Sequence, residues 1–386
     1  MSEQKQQLAN QQYSPQIPST FQNNDEIDLR ELLKALWGGK LSIVAITAVF
    51  VIGTALYAFN AQEWWSSKAK ITESQPQDMA AYQQQVRQFQ PIFDIYQEDG
   101  TVLVSGELDS LVDTEVLFNR FIDAFNSSNN KRDFLDSSEE FQAFKTELDA
   151  DADVDADADA DADADATRLL YAEWFQKIAA KKDSAGAQGP YDLSLQSTSK
   201  NSSYSLLNEY IAIIKRKAHY DALNNLQAVV SGKHNELVQQ KRILEAQATN
   251  KLLIEAERAK YAMDIAESAG ITQPIQTNSN NEIFGIDLGA KALKAKVKAL
   301  ESVKNLSVVE PRLQQIDAKL EMLENLKIDR TIQFQTFRFL ENAEQPITRD
   351  KPNRALIVVL GAFLGGMLGV AFVLVRFAFR REREED

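Results

Sequence analysis

Two uninterrupted apolar runs, one near each end of the 386-residue chain, constrain this sequence more than any other feature. Leu41 to Phe59 reads LSIVAITAVFVIGTALYAF, nineteen residues without a charge. As a helix such a run rises about 28 Å, which matches the hydrocarbon core of a bilayer. Ala355 to Val375 reads ALIVVLGAFLGGMLGVAFVLV and is apolar on every face, as no surface helix of a water-soluble domain needs to be. Residues 41–60 and 355–375 are therefore expected to cross a membrane. A cleaved signal peptide is the alternative for the first run, since Ala58 and Ala61 supply small residues at its end. The forty residues ahead of it and its own length argue for an uncleaved span.

Basic residues flank both runs on their outward sides. Arg30, Lys34 and Lys40 precede the first, and Arg376, Arg380, Arg381 and Arg383 follow the second. The positive-inside rule then places the tails, 1–40 and 376–386, in the cytoplasm and the middle of the chain outside. Arg349, Lys351 and Arg354 run against that count, but two crossings force both tails to one side. Residues 28–37 (DLRELLKALW) form a short amphipathic pattern expected to lie as a helix in the membrane interface. Trp64 and Trp65 read as aromatic anchors at the opposite interface, or as packing residues in the base of the outer domain. Within the second run, Gly361, Gly365 and Gly369 recur every four residues, with Gly366 beside them, and so offer a close-packing stripe for another helix. That helix could be the first span, a neighbouring copy or another protein.

Between the crossings the sequence predicts an α+β fold: a base domain with a mixed sheet, carrying a very long protruding helix. Residues 64–72, 101–107 and 191–196 read as strands, residues 108–127, 138–148 and 168–180 as helices, and 332–339 as a last extended segment. The first part of the base occupies 61–204 and the arm 205–330. From Ser205 to Ala269 there is no proline and one glycine, Gly232, and the composition favours helix. Unbroken, this would be a helix about 98 Å long; a break at Gly232 would give two shorter ones. Gly270 to Pro274 stop it, polar residues near 270–282 make the tip, and helices at 289–304 and 309–328 run back. Residues 331–354 bring the chain to the second crossing through Pro346 and Pro352, whose fixed dihedrals aim its approach.

Nine of the acidic residues alternate with alanine, save Val154, between Asp149 and Asp165, and they supply most of the formal charge of −14. A strand here would line nine like charges on one face and repel itself, and a calcium loop would need a glycine turn and a glutamate at a fixed offset. The run reads as a solvated low-complexity insertion. No catalytic, cofactor or metal motif is present: cysteine is absent, and His219 and His234 lie fifteen residues apart on the long helix. With no sustained basic stripe, nucleic acid is an unsuitable partner.

The order of these parts resembles the Wzz family of polysaccharide co-polymerases. The likeness is carried by Pro346 and Pro352 followed by NRALIVVLGAFLGGMLGVAFVLVR at 353–376, by Trp64, Ser67 and the strand around them, and by YAMDIAESAGITQP at 261–274. The aspartate–alanine run departs from the family pattern. The resemblance implies a non-enzymatic homo-oligomer in the Gram-negative inner membrane, its central domain periplasmic and in contact with membrane lipid. It also implies an activity, setting the modal length of lipopolysaccharide O-antigen on undecaprenyl-pyrophosphate together with the Wzy polymerase. The eleven residues after the second crossing leave no room for the kinase of related capsule systems, which points to the O-antigen class. A periplasmic helical adaptor of an export system is the competing reading.

Overall fold

The computed structural model describes residues 29–97, 99–152, 160–183, 189–276 and 283–385. The chain divides into a membrane unit, residues 1–64 with 349–386, and a central unit, residues 65–348.

In the membrane unit, a helix at Leu29–Gly38 precedes the first candidate span, Lys40–Asn60. The second candidate span, Arg354–Phe379, lies in a helix that runs on to Glu385. Of the amphipathic segment, Asp28 falls outside the described residues, and Leu33 and Trp37 stand exposed on the helix.

The central unit is built on a four-stranded sheet of β1 (Trp65–Glu73), β4 (Ile178–Lys182), β5 (Tyr191–Ser197) and β6 (Phe337–Glu344), in the order β4-β5-β1-β6. Every pairing is antiparallel, so the expected mixed sheet is corrected. The reason lies in chain paths. β4 and β5 are joined by a short connection, and β1 opens the unit beside the place where β6 closes it, with Lys68 opposite Glu344. A bulge interrupts this last pairing between Lys68 and Ile71, and the buried Ser67 hydroxyl donates to the Glu344 carbonyl at 2.7 Å beside it. A separate hairpin pairs β2 (Ile95–Tyr96) with β3 (Val102–Leu103). The strand expected at 101–107 is thus only two residues long and lies outside the main sheet.

Helices cover the sheet. The expected helix 108–127 is two, Asp109–Val112 and Thr114–Asn126, divided at Asp113, whose carboxylate accepts from the Glu115 and Val116 N–H groups and starts the second. An aromatic layer of Phe121, Phe125, Phe134, Tyr210 and Phe337 packs with centroids 4.3 to 6.2 Å apart. The aspartate–alanine run falls at the end of one helix, Glu139–Ala152, and the start of another, Ala160–Lys177, and residues 153–159 lie outside those described.

The long helix runs unbroken from Lys200 to Ser268, 69 residues and about 104 Å. It passes through Gly232, where the sequence allowed a break, since a single glycine costs less than the packing on either side restores. Its foot is fixed twice. The Ser199 side chain caps the Ser202 N–H, and the Glu140 carboxylate accepts from Ser197 Oγ (2.6 Å), Thr198 N (2.9 Å), Thr198 Oγ1 (2.8 Å) and Ser202 Oγ. Burial works to raise the Glu140 pKa, and these hydrogen bonds outweigh it, leaving the group below the ordinary carboxylate value. The far end closes where Gly270 turns to φ +72°: its N–H bonds the Glu267 carbonyl and the Ile271 N–H reaches back to Ala266. Helices Gly289–Ser302 and Arg312–Asn325 return alongside. His219 stacks on Phe334 at 4.2 Å, and burial lowers its pKa, as suits a packing residue. The turn expected at the tip lies partly outside the described residues, at 277–282.

Candidate functional site

The three glycines of the second span face the first span of the same chain. A Cβ on Gly361 would collide with the Thr54 side chain; on Gly365 it would lie 2.8 Å from Phe50 Cβ and 2.9 Å from Thr47 Cα; on Gly369, 3.0 Å from Ile43 Cα. The facing positions descend as the glycines ascend, so the helices pack antiparallel. Gly366, the fourth glycine, has only Thr47 Oγ1 near it, at 3.9 Å, and sits off the seam. The seam continues with roles exchanged: a Cβ on Gly39 would stand 2.5 Å from Val373 Cγ1. That position escaped sequence reasoning because Gly39 precedes the apolar run and belongs to no repeated spacing. The seam threonines satisfy themselves, Thr47 Oγ1 donating to the Ile43 carbonyl at 2.8 Å and Thr54 Oγ1 to the Phe50 carbonyl at 2.9 Å. With no stray polar group to bury, two backbones can approach closely in lipid.

Outside the apolar stretches, the two strands of chain are clasped. Trp64 N–H donates to the Lys351 carbonyl at 3.0 Å, and Asp350 N–H to the Trp64 carbonyl at 2.9 Å. Glu63 accepts from Arg349 Nη1 at 3.1 Å and from Arg354 Nη2 at 2.7 Å through one carboxylate oxygen. Arg354 also donates through Nε to the Ala58 carbonyl at 3.1 Å and lies 4.7 Å from the Phe59 ring centroid. Two of the three cations that ran against the charge count are therefore matched by one acid, a pairing across nearly three hundred residues that no local pattern announces. Pro352 sits inside this clasp, after a cis peptide bond, and Pro346 lies two residues past β6, half-buried. Trp65 is not part of it: it opens β1 opposite Ser197, with Lys200 Nζ 4.7 Å from its ring centroid. The two tryptophans thus serve different units.

On the arm, the long helix buries Ala256, Ala259, Ala262 and Ala266 and leaves Ile254, Tyr261 and Ile265 exposed. The seven- and four-residue spacing of the exposed three is that of a helix-packing stripe. Among the described residues no cluster of three or more His, Asp or Glu is placed to hold a metal.

These parts coincide with known sequence families. The profile of the Wzz chain length determinant protein matches residues 25–116, from the first span to the hairpin and beyond. The chain thus carries a Wzz chain length determinant domain at its N-terminal side. A second profile, the G-rich domain on putative tyrosine kinase, matches residues 312–378 and so takes in β6, the Arg349–Arg354 side of the clasp and the seam glycines. Similar proteins extend over nearly the whole length of this chain. The ferric enterobactin transport protein FepE of Escherichia coli K12 is 25% identical, over 96% of this chain and 94% of its own. The chain length determinant protein of Salmonella typhimurium LT2 is 24% identical, over 94% and 96%. The ECA polysaccharide chain length modulation protein of E. coli K12 is 24% identical, over 91% and 95%. A solved full-length bacterial polysaccharide co-polymerase shares the fold, with a TM-score of 0.54 at 23% identity, over 92% of this chain and 99% of that one.

Proposed function

We propose that this chain, as a member of the Wzz family, sets the modal length of lipopolysaccharide O-antigen while the glycan is still carried on undecaprenyl-pyrophosphate, acting as a homo-oligomer beside a Wzy-type polymerase and making no bond itself. The observation that carries the reading is the match of residues 25–116 to the chain length determinant family, in a chain that has two candidate spans and a 69-residue helix. In this reading the tails are cytoplasmic, the central unit is periplasmic, and the inner membrane holds the glycine seam. The exposed stripe Ile254, Tyr261 and Ile265 supports contact between copies, because apolar positions at helical spacing on a solvated arm call for a partner helix.

The decisive experiment is a silver-stained lipopolysaccharide gel of cells with and without the gene. A clustered ladder that turns short or random on deletion, and returns on complementation, is expected. An unchanged ladder sinks the O-antigen assignment. The length distribution of enterobacterial common antigen and growth on ferric enterobactin as iron source then decide among the roles that the relatives' names carry. Because the chain has no cysteine, single introduced cysteines report topology without background. One placed in the central unit is expected to react with a membrane-impermeant maleimide in intact spheroplasts, and one in either tail to stay unlabelled.

A further inference from the structure

Beside the middle of the long helix the central unit holds an open cleft of about 690 Å³. Its walls are the long helix from Lys233 to Gln247, the returning helix Arg312–Asn325, and the β2–β3 hairpin. The floor is apolar and closed, with Phe93, Leu237, Leu244 and Ile316 all buried. The rim is apolar and open: Tyr96 and Leu103 on the hairpin keep 41% and 52% of their surface in solvent, and Ile243 across from them keeps 56%.

A two-stranded hairpin of this size does not hold itself together in water. It is tethered by Asp94, whose carboxylate accepts from Gln90 Nε2 at 2.7 Å and the Ser105 N–H at 3.0 Å, and whose carbonyl accepts from Lys319 Nζ. The fold thus spends buried polar contacts on keeping an apolar rim in place.

Two of the three cations at the cleft are matched: Lys233 Nζ lies 2.9 Å from Glu236 and 3.4 Å from Glu107, and Arg312 pairs with Glu310. The third, Lys319, is turned to the Asp94 carbonyl. An anion would have to draw Lys319 from that carbonyl or break an ion pair. An uncharged one would find the side chains of Gln247 and Gln315, exposed on facing helices and without a hydrogen bond inside the chain among the described residues. Each amide offers two donors and an acceptor in one plane. Amides beside an aromatic ring and aliphatic edges, over a neutral floor, suit a sugar ring, whose C–H faces are apolar and whose edges carry hydroxyls.

We propose that this cleft is a subsite for a short segment of uncharged oligosaccharide, with Tyr96 as the surface against which a sugar ring lies and Gln247 and Gln315 as the groups that read its hydroxyls. The proposal rests on the chain-length reading, which brings growing glycan to this protein.

The test uses the full-length protein in lipid nanodiscs, and as probe the polysaccharide released by mild acid from the host's own lipopolysaccharide. Binding is followed by saturation-transfer difference NMR and titration, with heparin as a polyanion for comparison. Saturable binding is expected to fall about tenfold in Tyr96→Ala and in the double variant Gln247→Ala/Gln315→Ala, and to recover in Tyr96→Phe. All three positions are exposed, so thermal melts by circular dichroism should match the parent. No binding by the intact chain, undiminished binding by the variants, or preference for heparin overturns the proposal. So does a Tyr96→Ala protein whose oligomer falls apart, because the rim is then a contact between copies. The deletion gel keeps the two readings separate: an altered ladder without probe binding sinks the subsite alone, and an unaltered ladder with probe binding sinks the O-antigen role alone.

Discussion

The membrane helices and the arm are both zipped by small residues, under opposite conditions. Between the spans, Gly361, Gly365 and Gly369 bring backbone against Thr54, Phe50, Thr47 and Ile43. On the arm, Ala262 and Ala266 of the long helix close on Ala290 and Leu293 of the returning helix. Water drives the second seam, since burying apolar surface there stabilises by about 25 cal/mol per Å². Lipid offers no such drive, because a span is as well solvated by acyl chains as by its neighbour, and attraction depends on how closely the backbones meet. Where solvent pushes, an alanine and a leucine suffice; where it does not, the methyl group itself is in the way.

The sharpest way to break this comparison is to put side chains into the glycine seam. Replacing Gly361, Gly365 and Gly369 together with leucine should part the spans and abolish modal chain length while membrane insertion persists, as read by the lipopolysaccharide ladder and by carbonate-washed membranes. Gly366→Leu, off the seam, should leave the ladder intact; equal effects from both changes would show that the seam has no special standing. On the arm the corresponding change is a deletion. Leu293→Ala should cost about 2–5 kcal/mol of local stability and raise hydrogen exchange in residues 256–302 without disturbing the spans. Exchange confined to the spans would contradict it.

Acid should loosen the arm at its foot. Glu140 has a lowered pKa in the folded chain, so its contribution is complete above the unfolded carboxylate value and is lost as pH falls through the lower folded value. The parent should therefore lose stability below about pH 4.5, and Glu140→Gln, weaker at neutral pH by about 1.5–3 kcal/mol, should lose less on acidification. Parallel pH profiles for the two proteins would show that Glu140 carries no such linkage. The smallest effect belongs to Gly232, whose missing side chain faces open space: Gly232→Ala should stabilise by about 0.5–1 kcal/mol and raise the melting temperature slightly.

What the sequence disclosed and what it hid follow from the range of the forces involved. The spans and the long helix were legible because length and composition over twenty to seventy consecutive residues decide them. The glycine spacing marks a packing face and leaves its partner open among three candidates, and the structure shows the first span opposite it, with Gly39 extending the contact. The first three residues of β4, IAA at 178–180, fall at the end of the helix that composition predicts over 168–180. Alanine and lysine have little strand preference, and the segment is a strand because β5 pairs with it from Ile178 to Lys182. The sheet's direction, the Glu63 pairings and the hairpin's separation from the sheet all depend on residues far apart in the chain, where periodicity has nothing to report.

The long helix is also a lever. For a straight rod of about 104 Å, a turn of about 1° at the foot moves the far end by about 1.8 Å, the difference between contact and separation for a pair of side chains. The hydroxyl and carboxylate cluster around Glu140 and Ser199 sits at the fulcrum. Small adjustments there are magnified at Gly270, and a load on the tip returns to the foot with the same mechanical advantage.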